Sequence, residues 1–556
     1  MNDTDDLRSL LDRRTFLRYG AATAALAASA PVLGQTIGTP HAAAATPFGW
    51  EEATIEQLQA AMASGQLTAL ALTRAYLERI AAIDHAGPRL NSIIETNPDA
   101  EAIAAALDRE RADGHLRGPL HGIPIVLKDN IATDDRMQTT AGSLALVGAR
   151  VPRDAGVAAR LRAAGAILLA KSNMSEWTGF FSYPSSGGWS ARAGQGLNPY
   201  ALGYASGHSS SGSAAAVSAN LTVGGVGTET YGSILMPSSL CGVVGLKPTL
   251  GLTSRSGVVP ISFSRDVTGP IGRTVADVAT MLGGMVGVDP LDEVTQRSSG
   301  RFHTDYRPFL DPEGLSGARL GLWHEGELWS DTGPAKEVRD AAVERLRDLG
   351  ATVVPGCHLP GVANAIGDHI SVMFYEFEAG IDAYLAELTN ADVRTLVGVA
   401  AFNEQHADEE LRWLNQGILQ GALGLKETFR DDPEYVRCLH DSRARARRLI
   451  DGLMRKQRLD ALVAMTYREA WAIDLVNGDP GYVGQGSAGP HNAAGYPNIT
   501  VPAGYVRELP VGISFMAEAW SEPKLLRLAY AFEQGDAARR VPRLLDGYGQ
   551  RDFVER

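Results

Sequence analysis

One stretch constrains this chain more than any other: Gly207 to Thr249, GHSSSGSAAAVSANLTVGGVGTETYGSILMPSSLCGVVGLKPT. It is dense in Gly and Ser, yet too apolar for a flexible linker, which has no use for Val-Gly-Gly-Val or Val-Val-Gly-Leu. Its serines therefore sit inside what reads as a core. Buried hydroxyls cost stability unless they are hydrogen-bonded, so the cluster is either a satisfied network or a reactive site. Gly207-His208-Ser209-Ser210-Ser211-Gly212-Ser213 reads as a loop feeding a helix over Ala214–Ala219, whose N-terminus favours negative charge. After a strand over Thr222–Val226, Gly227-Thr228-Glu229-Thr230-Tyr231-Gly232-Ser233-Ile234 reads as a second tight turn ending in a serine. Successive turn amides ahead of Ser233 suit an oxyanion hole.

A serine nucleophile needs a base, and the chain offers one upstream. Ile123-Pro124-Ile125-Val126-Leu127 reads as a short buried strand, and Lys128 follows it directly. Lysine is almost never fully buried unless paired. Desolvation lowers its pKa, and a neutral amine is a competent base. A lysine at a strand end also snorkels to solvent readily, so this segment alone leaves both readings open.

The surrounding pattern is α/β. Thr54-Ile55-Glu56-Gln57 is a capping box opening a helix, and Leu72, Tyr76 and Ile80 share one face of the next. A strand at Ser92–Ile94 precedes a helix from Pro98 to Gly114. A helix over Val157–Ala164 leads to the strand Ala166–Ala170, and Arg319–Trp323, Ala351–Val354 and Leu462–Met465 read as further strands. This alternation predicts a mixed β-sheet covered on both faces by helices, with ligands bound at the carboxyl ends of the strands. A mostly helical region is read over about 355–456.

Composition closes off other classes. A net charge of −13 argues against a nucleic-acid partner. Cys241, Cys357 and Cys438 are too few and too scattered for a disulfide framework, and Cys241 reads as a small buried hydrophobe. With no Gly-rich phosphate loop and no Cys/His cluster, neither cofactor nor metal is expected. No serine lies in Gly-x-Ser-x-Gly, which speaks against an α/β-hydrolase esterase with a Ser–His–Asp triad.

The N-terminus reads as an address. Arg13-Arg14-Thr15-Phe16-Leu17 before an Ala-rich apolar run to Leu33 matches a twin-arginine export signal, and Ala42–Ala45 suits cleavage. Residues 1–45 are thus expected to direct export to the periplasm or beyond, leaving 46–556 as the catalytic domain with no lasting membrane insertion.

Lys128, the two serine turns and the tail Cys241-Gly242-Val243-Val244-Gly245-Leu246-Lys247-Pro248-Thr249 together resemble the amidase signature family. Ser209 and Ser233 are 24 residues apart, the spacing of that family. The resemblance covers the chain from about Trp50 and is strongest over Gly118–Pro270. It implies amide hydrolysis through an acyl-enzyme, with Ser233 as nucleophile, Ser209 as the bridging serine held by a cis peptide after His208, and Lys128 as general base. The amides of Thr230, Tyr231, Gly232 and Ser233 would hold the oxyanion, Phe180 and Tyr231 would contact substrate, and the helical region over about 355–456 would cover the cleft. The family commonly has Gly at the place of His208 and a small residue at that of Tyr231. A histidine there invites a Ser–His scheme, which the lysine makes unnecessary; Glu229 is read as a brace for the turn. Among branches, exported peptide amidases share Gly227-Thr228-Glu229-Thr230 and the Phe515-Met516 and Ala519-Trp520-Ser521-Glu522 run. They remove C-terminal amides; aryl-acyl, aliphatic and carbamate substrates remain alternatives. The glutaminase subunit of tRNA-dependent amidotransferases is also similar, as is, in principle, a non-catalytic binding subunit. The expected partner is a small-molecule or peptide amide, and the sequence does not fix the oligomeric state.

Overall fold

A computed structural model describes residues 48–323, 333–425, 429–480, 486–535 and 538–546. The export signal read at residues 1–45 lies outside them. We number the strands of the main sheet β1 (Ile93–Thr96), β2 (Pro124–Lys128), β3 (Ile167–Ser172), β4 (Gly224–Glu229), β5 (Val244–Lys247), β6 (Val267–Gly272), β7 (Arg319–Trp323), β8 (Thr352–Cys357), β9 (Ala461–Met465), β10 (Asn498–Val506) and β11 (Leu509–Met516). Their spatial order is β1-β3-β2-β4-β6-β5-β10-β11-β9-β7-β8. The sheet is mixed: β3, β2 and β4 run parallel, as do β9, β7 and β8, and the middle is antiparallel. The α/β class expected from the alternation is the class observed.

Helices flank the sheet. Ser211–Ser218 and Leu235–Leu240 pack together against one set of strands, while Val275–Met285, Gly333–Asp348 and Glu522–Gly535 pack together elsewhere on it. The Thr54 capping box forms as the sequence predicts, with Thr54 accepting from the Gln57 backbone and Gln57 from that of Thr54.

The strand holding the lysine is anchored by its apolar neighbours. Ile125, Val126 and Leu127 are completely buried, each contributing about 1.5–3 kcal/mol by leaving water. That burial carries Lys128 into the interior with them. Leu127 pairs with Val226 of β4 in parallel register, so the carboxyl ends of β2 and β4 lie side by side.

The β4 boundaries differ from the expectation. The strand runs Gly224–Glu229, two to three residues beyond the expected Thr222–Val226. Its glycines have no intrinsic strand preference, but pairing on both flanks, with β2 and β6, makes them a strand. Glycine there has a use: a Cβ on Gly227 would stand 2.7 Å from Ser210 Oγ, so the serine helix lies directly on this strand. The helix starts at Ser211, three residues earlier than Ala214.

Two long helices, Val362–Glu387 and Pro433–Gln457, dominate residues 355–456 and pack against each other and against Ala488–Ala494.

Candidate active site

Lys128 ends β2 wholly buried. Its Nζ stands 2.6 Å from Ser209 Oγ and 2.8 Å from Thr228 Oγ1, and Asn130 Nδ2 donates to the same threonine oxygen at 3.1 Å. Burial pushes the amine down from 10.5 to about 7, with Asp266 and Glu229 pulling it partly back. An amine near 7 is neutral in a substantial fraction of molecules at neutral pH, which is the condition for proton abstraction.

Two other lysines are as buried and provide the contrast. Lys171 Nζ donates to Ile131 O at 2.5 Å and Thr139 Oγ1 at 2.9 Å, and Lys247 Nζ to Tyr496 O at 2.5 Å. The nearest partner of each is a backbone carbonyl, which has no proton to give. Lys128 alone of the three has a serine hydroxyl as its nearest partner.

The two serine turns are joined: Ser210 N–H donates to Ser233 O at 3.1 Å, and Ser210 Oγ accepts from Thr228 N–H at 3.2 Å. Ser213 Oγ donates to Val226 O at 3.1 Å and meets Ser172 Oγ at 2.7 Å. Ser209, Ser210, Ser213 and Ser239 are thus hydrogen-bonded, whereas the buried hydroxyls of Ser211, Ser218 and Ser238 have no partner among the described residues. Ser233 retains 8% of its surface, whereas Ser209, Ser210, Ser211 and Ser213 retain none. It is the serine of the two turns most open to an incoming ligand.

The peptide between His208 and Ser209 is not cis, contrary to expectation; among the described residues the one cis bond is Tyr183–Pro184. A cis bond before a non-proline residue costs about 3–4 kcal/mol. Gly207, two residues ahead of Ser209, adopts φ +94°, a conformation open to glycine without strain, and the loop passes through His208–Ser209 without a cis bond.

The turn from Thr230 to Ser233 is braced on several sides. Glu229 Oε2 accepts from Ile234 N–H at 2.7 Å and Leu235 N–H at 3.0 Å, and Oε1 from Asn492 Nδ2 at 2.8 Å. That is the bracing role read from its position. Thr230 Oγ1 donates to Asp266 Oδ1 at 2.5 Å, and burial raises the Asp266 carboxyl to about 6 against the pull of this bond. Gly232 adopts φ +87°, and a Cβ on it would stand 2.7 Å from Tyr467 Oη. The backbone N–H groups of Tyr231, Gly232 and Ser233 donate to no protein acceptor among the described residues.

His208 does not serve the two serines. Its Nε2 meets Asp479 Oδ2 at 2.6 Å and its Nδ1 meets Ser175 Oγ at 3.2 Å. Asp479 also accepts from Gly187 N–H at 2.9 Å and Trp471 Nε1 at 2.7 Å. Ser175 is 3% exposed and its hydroxyl accepts from Gly188 N–H at 2.8 Å. The histidine ties the Ser209 loop to the segment around Asp479. Phe180 is 6% exposed, edge-on to Phe374 and Phe377 at ring-centroid distances of 4.8 and 5.0 Å. Tyr231 lies beside the His369 ring at 6.2 Å. Cys241 is buried with its thiol pushed up by desolvation, an inert core residue.

Sequence reasoning misses Thr228, Asn130, Asp266, His369 and Asp479. Thr228 sits in the Gly-Thr-Glu-Thr run and Asn130 two places after Lys128, so adjacency is the signal both offer. The other three reach the site from distant segments. Among the described residues no group of three or more His, Cys, Asp or Glu is placed to hold a metal.

A buried amine thus lies against a serine hydroxyl, beside a braced turn whose Tyr231, Gly232 and Ser233 amides have no protein acceptor among the described residues. The chain belongs to the amidase signature family: the family model described as Amidase matches residues 71–526. It is 40% identical over 510 residues to a probable amidase of Arabidopsis thaliana, covering 90% of this chain and 93% of that one. It is 35% identical over 494 residues to a glutamyl-tRNA(Gln) amidotransferase chain of Chloroflexus aurantiacus, covering 86% and 96%. Among solved structures, native peptide amidase from Stenotrophomonas maltophilia superposes with a TM-score of 0.83 at 46% identity, covering 90% of this chain and all (100%) of that one.

Proposed function

We propose that this amidase hydrolyses the C-terminal amide of peptides through a Ser233–Ser209–Lys128 relay. The observation that carries the relay is the 2.6 Å contact between a buried, pKa-depressed amine and Ser209. The peptide substrate is supported by the 46% identity to a peptide amidase over nearly the whole chain.

Neutral Lys128 takes the proton of Ser209 Oγ, which takes that of Ser233 Oγ, and the freed oxygen of Ser233 attacks the carbonyl carbon. The amides of Thr230, Tyr231, Gly232 and Ser233 hold the oxyanion. The tetrahedral adduct collapses, the C–N bond breaks, and the Lys128 proton returns through Ser209 to the departing nitrogen as ammonia. Water then attacks the ester, and the acid leaves as Ser233 recovers its proton. Phe180 and Tyr231 flank the acyl side of the cleft. Residues 1–45 direct export, so the substrate is met outside the cytoplasm.

Ammonia release from a panel of peptide amides, anilides, short-chain amides and glutamine tests the substrate. Peptide amides should turn over fastest. A preference for glutamine would favour the amidotransferase reading, which the Chloroflexus aurantiacus relative supports. A serine-directed phosphonate probe should label Ser233 in the wild type and nothing in Ser233→Ala; labelling that survives the substitution would overturn the nucleophile.

A further inference from the structure

The helix Val362–Glu387 grips one residue of the oxyanion turn by two independent routes. His369 Nε2 lies 3.0 Å from Thr230 O. A carbonyl only accepts, so Nε2 carries the proton and donates. Seven residues on, Glu376 Oε2 accepts from Ser262 Oγ at 2.5 Å and Ser264 N–H at 3.0 Å. The same loop gives its Ile261 and Ser262 N–H groups to Asp266 Oδ2 at 2.9 and 3.0 Å, and Asp266 Oδ1 holds the Thr230 hydroxyl. One helix thus fixes both the carbonyl and the side chain of Thr230.

The carbonyl matters because of what shares its plane. Thr230 C=O and Tyr231 N–H belong to one trans peptide, planar and stiff, in which the two point in opposite directions. Fixing the oxygen fixes the N–H on the other edge. That N–H has no protein acceptor among the described residues, and it is among those assigned above to the oxyanion.

His369 suits a permanent brace. It is fully buried, and burial beside Arg265 and Arg443 holds its imidazole well below the usual range, so it stays neutral. Its Nδ1 has no partner among the described residues, so the Thr230 bond is its one polar contact there.

We infer that His369 is a positioning residue for catalysis: its Nε2–H holds the Thr230–Tyr231 peptide so that the Tyr231 N–H meets the oxyanion. This rests on the reading of Ser233 as nucleophile and of the turn amides as the oxyanion hole. A lost oxyanion donor typically costs 10²–10³-fold in kcat, and a donor mis-aimed rather than removed should cost roughly 10–100-fold.

Three substitutions separate positioning from packing. Gln carries its amide nitrogen near the place of imidazole Nε2, Asn near that of Nδ1, and Leu carries none. His369→Leu should lower kcat on a peptide amide by about 10–100-fold with KM little changed. It should weaken a peptide aldehyde, which forms a tetrahedral adduct on the serine, by the same factor. His369→Gln should recover most of both, and His369→Asn neither. Thermal midpoints of all three variants establish that they fold. Wild-type kcat and aldehyde affinity in His369→Leu, equal recovery by Gln and Asn, or a loss confined to KM would overturn the inference. An aldehyde that forms no adduct on Ser233 of the wild type would instead overturn the nucleophile assignment beneath it.

Discussion

Replacing Lys128 by Met should destroy activity and stabilise the fold, with a pH dependence that identifies the cause. The amine is depressed from 10.5 to about 7 in the folded protein. Between those values the unfolded chain binds the proton more often than the folded one, so the lysine penalises folding, and stability rises as pH climbs from 7 towards 10.5. Below 7 the penalty is at its full size. At 1.36 kcal/mol per unit, the penalty near neutral pH is about 4 kcal/mol. Methionine removes it, fills similar volume, and leaves the Ser209 and Thr228 hydroxyls short of a partner, at a cost of about 1 kcal/mol each. The net gain is about 2 kcal/mol. With an unfolding entropy of about 2.1 cal/mol/K per residue over roughly 500 residues, the midpoint should rise by about 2 °C near pH 6–7. The assay is thermal unfolding of wild type and Lys128→Met from pH 6 to 10. The variant should lead at low pH, and the lead should shrink and reverse as the wild-type penalty fades. A difference constant across pH, or a variant less stable at pH 6, would show that the ammonium is not desolvated and would refute the argument.

Other outcomes follow from the same contacts. Thr228→Val removes the second partner of Lys128 Nζ, at 2.8 Å; kcat should fall about tenfold, consistent with one net hydrogen bond of about 1.4 kcal/mol, as steady-state kinetics would show. Gly232→Ala places a Cβ 2.7 Å from Tyr467 Oη at φ +87°; it should cost about 1–3 kcal/mol in unfolding experiments and at least about 100-fold in kcat. His208→Ala breaks the 2.6 Å contact with Asp479 and leaves that carboxylate with Gly187 N–H and Trp471 Nε1. Turnover should stay within about tenfold of wild type, whereas a histidine base would predict a loss of about 10⁴-fold.

The sequence exposed the parts of the site that are local. An apolar run meeting Lys128 without a polar buffer signals a buried amine, because a five-residue strand lined by Ile, Val and Leu has nowhere to go but the core. Serines embedded among Val and Gly signal a hydroxyl network for the same reason. The partners that tune these groups were invisible, because folding alone brings them near. His369 and Thr230 are 139 residues apart, and His208 and Asp479 are 271 apart. Nothing in His-Ile-Ser or Gly-Asp-Pro marks a residue for that meeting. The β4 boundary slipped for a related reason: a Gly-rich strand is defined by the neighbours it pairs with, not by its own side chains. The cis peptide is implied by the resemblance and by no residue of the loop, and the His208–Ser209 bond is not cis.

The central claim is that Lys128, as a free amine, activates Ser233 through Ser209. Its most direct test is the rate at which a phosphonate probe labels Ser233 as pH is varied from 5 to 9. The rate should climb with a midpoint at about 7, the folded-state value of the amine, and the climb should vanish in Lys128→Met while persisting in His208→Ala. A wild-type rate indifferent to pH, or a midpoint that disappears with His208 and survives the loss of Lys128, would contradict the account.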